Sequence, residues 1–207
     1  MKKVLFIFLV MLSVCLISLP TNAASKKAEK KAVEKVVKQF CKGIKAYNEK
    51  QVVSCFQPLE NRDDFMMCSP DTHIDKVIRK IHKKWFKYSI KKITVNGGKA
   101  TATVKVKYFM GRDTFIEGII YAALLTDEDA STDQTLQIMR QTCDSVYKKL
   151  STKKKKKCVK TKTLKIPMIK IDGKWKIEKC TSQMETVLNA GMNQAIYDIK
   201  AWAESDE

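Results

Sequence analysis

Two short segments constrain the fold of this chain more than any other feature. Ile90, Ile93 and Val95 lead into Asn96-Gly97-Gly98 and are followed by apolar residues at every second position from Ala100 to Met110, and Leu164, Ile166 and Met168 are answered by Trp175 and Ile177 across Asp172-Gly173. A period of two belongs to a strand with one buried face, and Asn-Gly and Asp-Gly accept the positive φ of a tight hairpin turn. The chain must therefore house two antiparallel hairpins. Counting outward from Asp172-Gly173 sets Lys170 opposite Trp175 and Met168 opposite Ile177, so Leu164, Ile166, Met168, Trp175 and Ile177 share one face. In the first hairpin Ala100, Ala102, Val104, Val106 and Tyr108 form the core face, and Thr101, Thr103, Lys105 and Lys107 form a solvent face.

Elsewhere the period lengthens to that of helices. Ala28, Val33, Val36, Val37, Phe40, Ile44 and Tyr47 mark a long amphipathic helix, and Gln51 to Phe56 a short second one. Ser69-Pro70-Asp71 opens a third, striped by Ile74, Val77, Ile78, Ile81 and Trp85. Between the hairpins, Thr114 to Leu125 is almost uniformly apolar, which predicts a helix that is buried or covers a cavity. Ser131 and Gln134 form a capping box for the next helix, which the Lys153–Lys157 run ends, and Ser182 with Glu185 caps a terminal helix. The expected class is α+β, with two hairpins in one antiparallel sheet around N-terminal helices. A helical insertion at about 113–152 and a C-terminal helix complete it.

The first residues carry a targeting signal. Lys2 and Lys3 precede an apolar run from Val4 to Leu19 and a small-residue exit at Pro20-Thr21-Asn22-Ala23-Ala24, the pattern of a secretory signal peptide cut after Ala23. The run is shorter than the roughly 20 residues that span a bilayer, so no integral membrane segment is expected after its removal. Residues 24–207 then form a single domain, because 7 Gly and 4 Pro in 207 residues leave no room for a linker or a Gly-rich phosphate loop. Removing residues 1–23 takes away two lysines and no acid, which lowers the net charge from +18 to +16.

Six cysteines remain in that domain. An even number suits disulfides in an oxidising compartment, with free thiols as the alternative. Cys41 and Cys55 lie about equally far from a turn near Asn48, so antiparallel helices bring them together, and Cys143 is a plausible partner for Cys158. Cys158 and Cys180 fall on opposite faces of the second hairpin by register and are not expected to pair.

The helical start, Tyr88-Ser-Ile-Lys-Lys-Ile-Thr-Val-Asn-Gly-Gly-Lys-Ala-Thr-Ala-Thr-Val and Ile169-Lys-Ile-Asp-Gly-Lys-Trp-Lys-Ile177 resemble the nuclear-transport-factor-2-like (cystatin-like) domains of bacterial secreted proteins and lipoproteins. The resemblance covers essentially the whole of residues 24–207. It implies a curved sheet wrapped around helices with a cavity at its mouth, and it carries no activity with it.

Three functional readings follow. A secreted noncatalytic binding module takes a small or extended ligand in a cavity lined by Trp85, Tyr108, Met110, Glu117 and Trp175. A cavity enzyme of isomerase or hydrolase type uses Glu117 as base with Tyr121 and Tyr108 as donors. Electrostatic attachment to anionic cell-envelope polymers uses Lys153, Lys154, Lys155, Lys156, Lys157, Lys160, Lys162 and Lys165. Four arginines in the whole chain argue against specific nucleic-acid recognition, because lysine lacks the bidentate fork. His73 between Asp71 and Asp75 is explained by a helix start, and Asp127, Glu128, Asp129 and Asp133 lack the glycine and glutamate of a calcium loop. No metal, cofactor or catalytic residue is assigned. A filled interior under a continuous lysine face would favour attachment, and a buried Glu117 beside an open cavity would favour the enzyme.

Overall fold

The computed structural model describes residues 21–58, 75–127 and 129–205. The expected leader through residue 20, Cys68, the Ser69-Pro70-Asp71 cap and His73 lie outside them. In order, the chain forms α1 (Thr21–Ala46), α2 (Glu49–Val53), α3 (Asp75–Trp85), β1 (Lys87–Asn96), β2 (Lys99–Phe109) and α4 (Arg112–Leu125). It continues with α5 (Thr132–Lys149), α6 (Thr152–Lys157), β3 (Val159–Ile171), β4 (Lys174–Ile177), α7 (Ser182–Leu188) and α8 (Met192–Ser205).

Both hairpins form and join through β2 and β3 into one open antiparallel sheet of order β1-β2-β3-β4. Asp172 and Gly173 adopt φ of 48° and 74°, which turns the chain in two residues and sets Lys170 against Trp175 and Met168 against Ile177, as the sequence predicts. Val104 pairs with Ile90 on one side and Leu164 on the other, so three strands present their apolar positions in a common row. Ala102, Val104, Val106, Leu164, Ile166, Met168 and Ile177 are buried there with Val33, Val37, Phe40 and Ile44 of α1 and Val77, Ile78 and Ile81 of α3. Each such Val, Leu, Ile, Phe or Met side chain contributes about 1.5–3 kcal/mol when fully buried. Beyond β4, Phe56 bridges Ile177 in parallel, with the Ile177 N–H donating to the Cys55 carbonyl at 2.8 Å.

The structure corrects several expected elements. The insertion contains three helices and runs to Lys157, because Leu150 leaves helical geometry (ψ 125°) and the Ser151 side chain starts a new turn by accepting from the Lys154 N–H. The terminal helix is capped by Thr181 in place of Ser182 and breaks into α7 and α8 at Ala190 and Gly191, both at positive φ. Helix α2 begins before Gln51 because the Asn48 side chain accepts from the Gln51 N–H. Helix α4 buries only the stripe Thr114, Phe115, Gly118 and Ala122, and Ile120, Tyr121, Leu124 and Leu125 face solvent where burial was expected.

Candidate functional site

Register decides which side chains stand on the outside of the sheet. Along β2 the even positions from Ala100 to Tyr108 are buried, so Lys99, Thr101, Lys105 and Lys107 point away from the core with the half-buried Thr103. Pairing extends that face sideways. Lys107 lies opposite Lys87 and Thr161, Lys105 opposite Ser89 and Thr163, and Thr103 opposite Lys92 and Lys165. An irregularity between Ile90 and Lys92 leaves Lys91 and Lys92 both exposed, and Lys174 stands at the turn end of β4.

The strands hold three lysines each in β1 and β2, four in β3 and two in β4, and no Asp or Glu. Paired strands lie about 4.8 Å apart and alternate residues about 7 Å apart along a strand. Unit charges at such separations repel by somewhat under 1 kcal/mol per pair in water, and each further lysine adds to the sum. Few acids offset it. Among the described residues, Glu178 reaches Lys99 at 4.0 Å at one corner. Lys176 is occupied by the Ser54 carbonyl at 2.6 Å. Ser89, Thr94, Thr101, Thr161 and Thr163 place exposed hydroxyls between the ammonium groups. An array of point charges interleaved with hydroxyl donors suits the repeated oxygens of a linear anion.

The lysines singled out from sequence fall into three settings. Lys153, Lys154, Lys155, Lys156 and Lys157 make up most of α6, where Lys155 also lies over the Tyr147 ring at 4.8 Å. Lys160 and Lys162 pair with Tyr108 and Val106, so they stand on the core side of β3, whereas Lys165 stands on the outer face. A period of two separates even from odd positions, which a run of charges read as one patch ignores. Lys87, Lys91, Lys92, Lys99 and Lys174 were not singled out; the exposure of Lys87, Lys99 and Lys174 follows from the alternation that located the strands, and that of Lys91 beside Lys92 from the irregularity in β1.

The expected cavity liners are spread through the molecule. Tyr108 and Trp175 are each 4% exposed. Burial pushes the Tyr108 phenol up, and the Trp175 indole N–H donates to Glu29 at 2.5 Å. Trp85 is half-buried and donates to the Tyr147 hydroxyl at 3.0 Å, and the Met110 sulfur lies 4.0 Å from the Tyr108 hydroxyl. Glu117 is exposed and, with Tyr121, lines an open groove of about 390 Å³ between α4 and α8, away from the buried Tyr108.

Glu29, which no sequence signal distinguished from other acids on the polar side of α1, ties that helix to the second hairpin. It takes Lys170 and Trp175, whose hydrogen bonds hold its carboxyl below the usual carboxylate range. Cys41 and Cys55 are both buried free thiols, with burial pushing them up to about 12 and about 11. Cys143 is packed against Gly118, and Cys158 is half-buried beside Asp113. Among the described residues no group of three His, Cys, Asp or Glu side chains is placed to hold a metal ion, and no helix is long and apolar enough to cross a membrane. No protein-family model, curated protein or solved structure matches the chain.

Proposed function

We propose that this chain is a secreted, noncatalytic binding module that holds an anionic cell-envelope polymer on the outer face of a nuclear-transport-factor-2-like sheet. The observation that carries the reading is the acid-free array of Lys87, Lys91, Lys92, Lys99, Lys105, Lys107, Lys165 and Lys174 with the hydroxyls between them. The inner face favours the same assignment. Tyr108 and Trp175 are buried in the interior, which supports a ligand site on the outside of the sheet over one inside it. Lysines without arginine recognise charge density in place of planar phosphate geometry, so binding is driven by counterion release and falls steeply with salt. The apolar leader and the +16 balance of residues 24–207 support an extracytoplasmic setting facing anionic polymer.

The test is elution of the purified protein from an immobilised phosphate-containing wall polymer, with heparin and single-stranded DNA columns as comparisons. Replacing Lys92, Lys105, Lys107 and Lys165 by glutamine is expected to lower the eluting salt and to reduce the slope of log affinity against log salt by about 3. Replacing Lys153–Lys157 by glutamine is expected to have the smaller effect although it removes more charge. Unchanged elution of the sheet variant, or a larger shift from the α6 variant, defeats the proposal.

A further inference from the structure

Helix α4 carries a second surface of opposite character. Asp113, Glu117, Ile120, Tyr121, Leu124 and Leu125 are all exposed, and their spacing places them on one stripe about 18 Å long. Helix α8 packs beside α4 and adds Trp202, with Tyr197 exposed elsewhere on the same helix. Ile120, Tyr121, Leu124, Leu125, Tyr197 and Trp202 are all of the large hydrophobic side chains exposed among the described residues. Single exposed apolar residues are ordinary, but their confinement to one helix pair marks an interaction surface. The two helices also share a groove, in which Trp202 and Tyr121 stand beside Ile120 with Asp113 and Glu117 at the rim.

Charge identifies the occupant. Asp113, Glu117, Asp127, Asp129 and Asp133 flank this stripe at its two ends against a single Arg112, which is itself held by Asp113 at 2.9 Å and by Asp198. Helix α8 adds Asp198 and Glu204 against Lys200. In a chain of net charge +18 whose strands contain no acid, this acidic rim coincides with the exposed apolar side chains. An anionic membrane or polymer is repelled here. A second copy meeting the same face would set acid against acid, and one presenting its lysine face would offer only the half-buried Pro167, Ile169 and Ile171. A helix with an apolar stripe flanked by Lys or Arg satisfies both requirements, and about 12 of its residues span 18 Å.

We propose that the α4–α8 groove docks a basic amphipathic helix of a partner protein. Its apolar stripe seats against Tyr121, Leu124 and Trp202, and its cations reach Asp113 and Glu117 at one end and Asp127 and Asp129 at the other. This surface is independent of the lysine face.

The probe is a fluorescent synthetic helix of about 16 residues with leucines at i, i+3, i+4 and i+7 and lysines on the flanks, measured by anisotropy against the full chain. A scrambled peptide of the same composition and a version with Glu for Lys are the comparisons. The basic helix is expected to bind at least tenfold tighter than either. Leu124→Ser with Trp202→Ala is expected to weaken it at least tenfold, and Asp113→Lys with Glu117→Lys to reverse the preference toward the Glu peptide. Unchanged circular dichroism and Tm identify these variants as folded. Equal binding of the scrambled peptide, or indifference to both double variants, overturns the proposal. So does a concentration-dependent dimer abolished by the Leu124 and Trp202 changes, which assigns the groove to a second copy. Vesicle binding abolished by the same changes assigns it to lipid and likewise overturns the proposal.

Discussion

His82 is fully buried between Tyr47 and Phe86, and its Nε2 lies 2.7 Å from the Leu188 carbonyl, an acceptor that fixes the proton on that nitrogen. Nδ1 is buried without a partner, so a second proton has nowhere to be solvated, and burial pushes the imidazole down to about 4. An unfolded histidine titrates near 6.5, so below that pH the unfolded chain binds a proton that the folded chain refuses. Stability contributed by the neutral ring is present above pH 6.5 and is lost as pH falls toward 4, by about 3 kcal/mol in all. Denaturant titrations between pH 7.5 and 4.5 are expected to show that slope. His82→Gln is expected to remove most of it at some cost in stability at neutral pH. An equal slope in the variant refutes the assignment. Position 82 falls beside Ile81 on the apolar side of α3, but the sequence does not reveal which carbonyl a buried imidazole meets, because Leu188 arrives from more than a hundred residues away.

At the scale of elements, α1 and α2 fold back on each other around the Asn48 cap, with the Gln51 side chain donating to the Gln39 carbonyl at 2.9 Å. This brings together Cys41 and Cys55, the pair expected from sequence to form a disulfide. Both are free thiols in the structure, and thiols raised to about 12 and about 11 contain almost no thiolate at neutral pH, so a disulfide between them would have to form before burial. Non-reducing peptide mapping is expected to find Cys41 joined to Cys55, and reduction to cost about 3 kcal/mol by the loop-entropy estimate. Alkylation of both thiols after unfolding without reductant would reject the bond. Helices α4 and α5 meet at Gly118, where a Cβ would stand 2.6 Å from the Cys143 sulfur and 2.8 Å from its Cα. Gly118→Ala is expected to destabilise by about 1–3 kcal/mol, read as a lowered Tm. Strands and hairpin register were legible because alternation and turn residues are local. The breaks at Leu150 and Ala190 were not, because Ser151 and Gly191 take up their cap and turn roles only where the chain must change direction to pack. The lysine face was half legible. Lys105 and Lys107 were assigned to solvent from the alternation, yet the densest run, Lys153–Lys157, drew attention to α6.

Across the whole molecule, charge is sorted by architecture. Strands carry lysine without acid, and α4, the entrance to α5 and α8 carry most of their charge as acid. Lysines about 5–7 Å apart repel within a Debye length of about 10 Å at 0.1 M salt, so screening relieves the folded sheet. Raising NaCl from about 20 to about 300 mM is expected to raise Tm, and Lys105→Gln with Lys107→Gln to shrink the rise; an identical rise in the variant would mean that the sheet is not where the repulsion resides. The two borders of that sheet are finished differently. One is covered by Cys55–Gln57 through the Phe56–Ile177 bridge, and the other ends the strand order at β1 with Lys91 and Lys92 side by side at the irregularity. A copy that tried to add its own β1 there would set ammonium against ammonium along a kinked border, while on the other side β4 and the Phe56 bridge cover the turn end of β3. The β1 border is thereby guarded against growing from molecule to molecule into fibrils, and a bound anion that neutralises Lys91 and Lys92 lifts that guard locally.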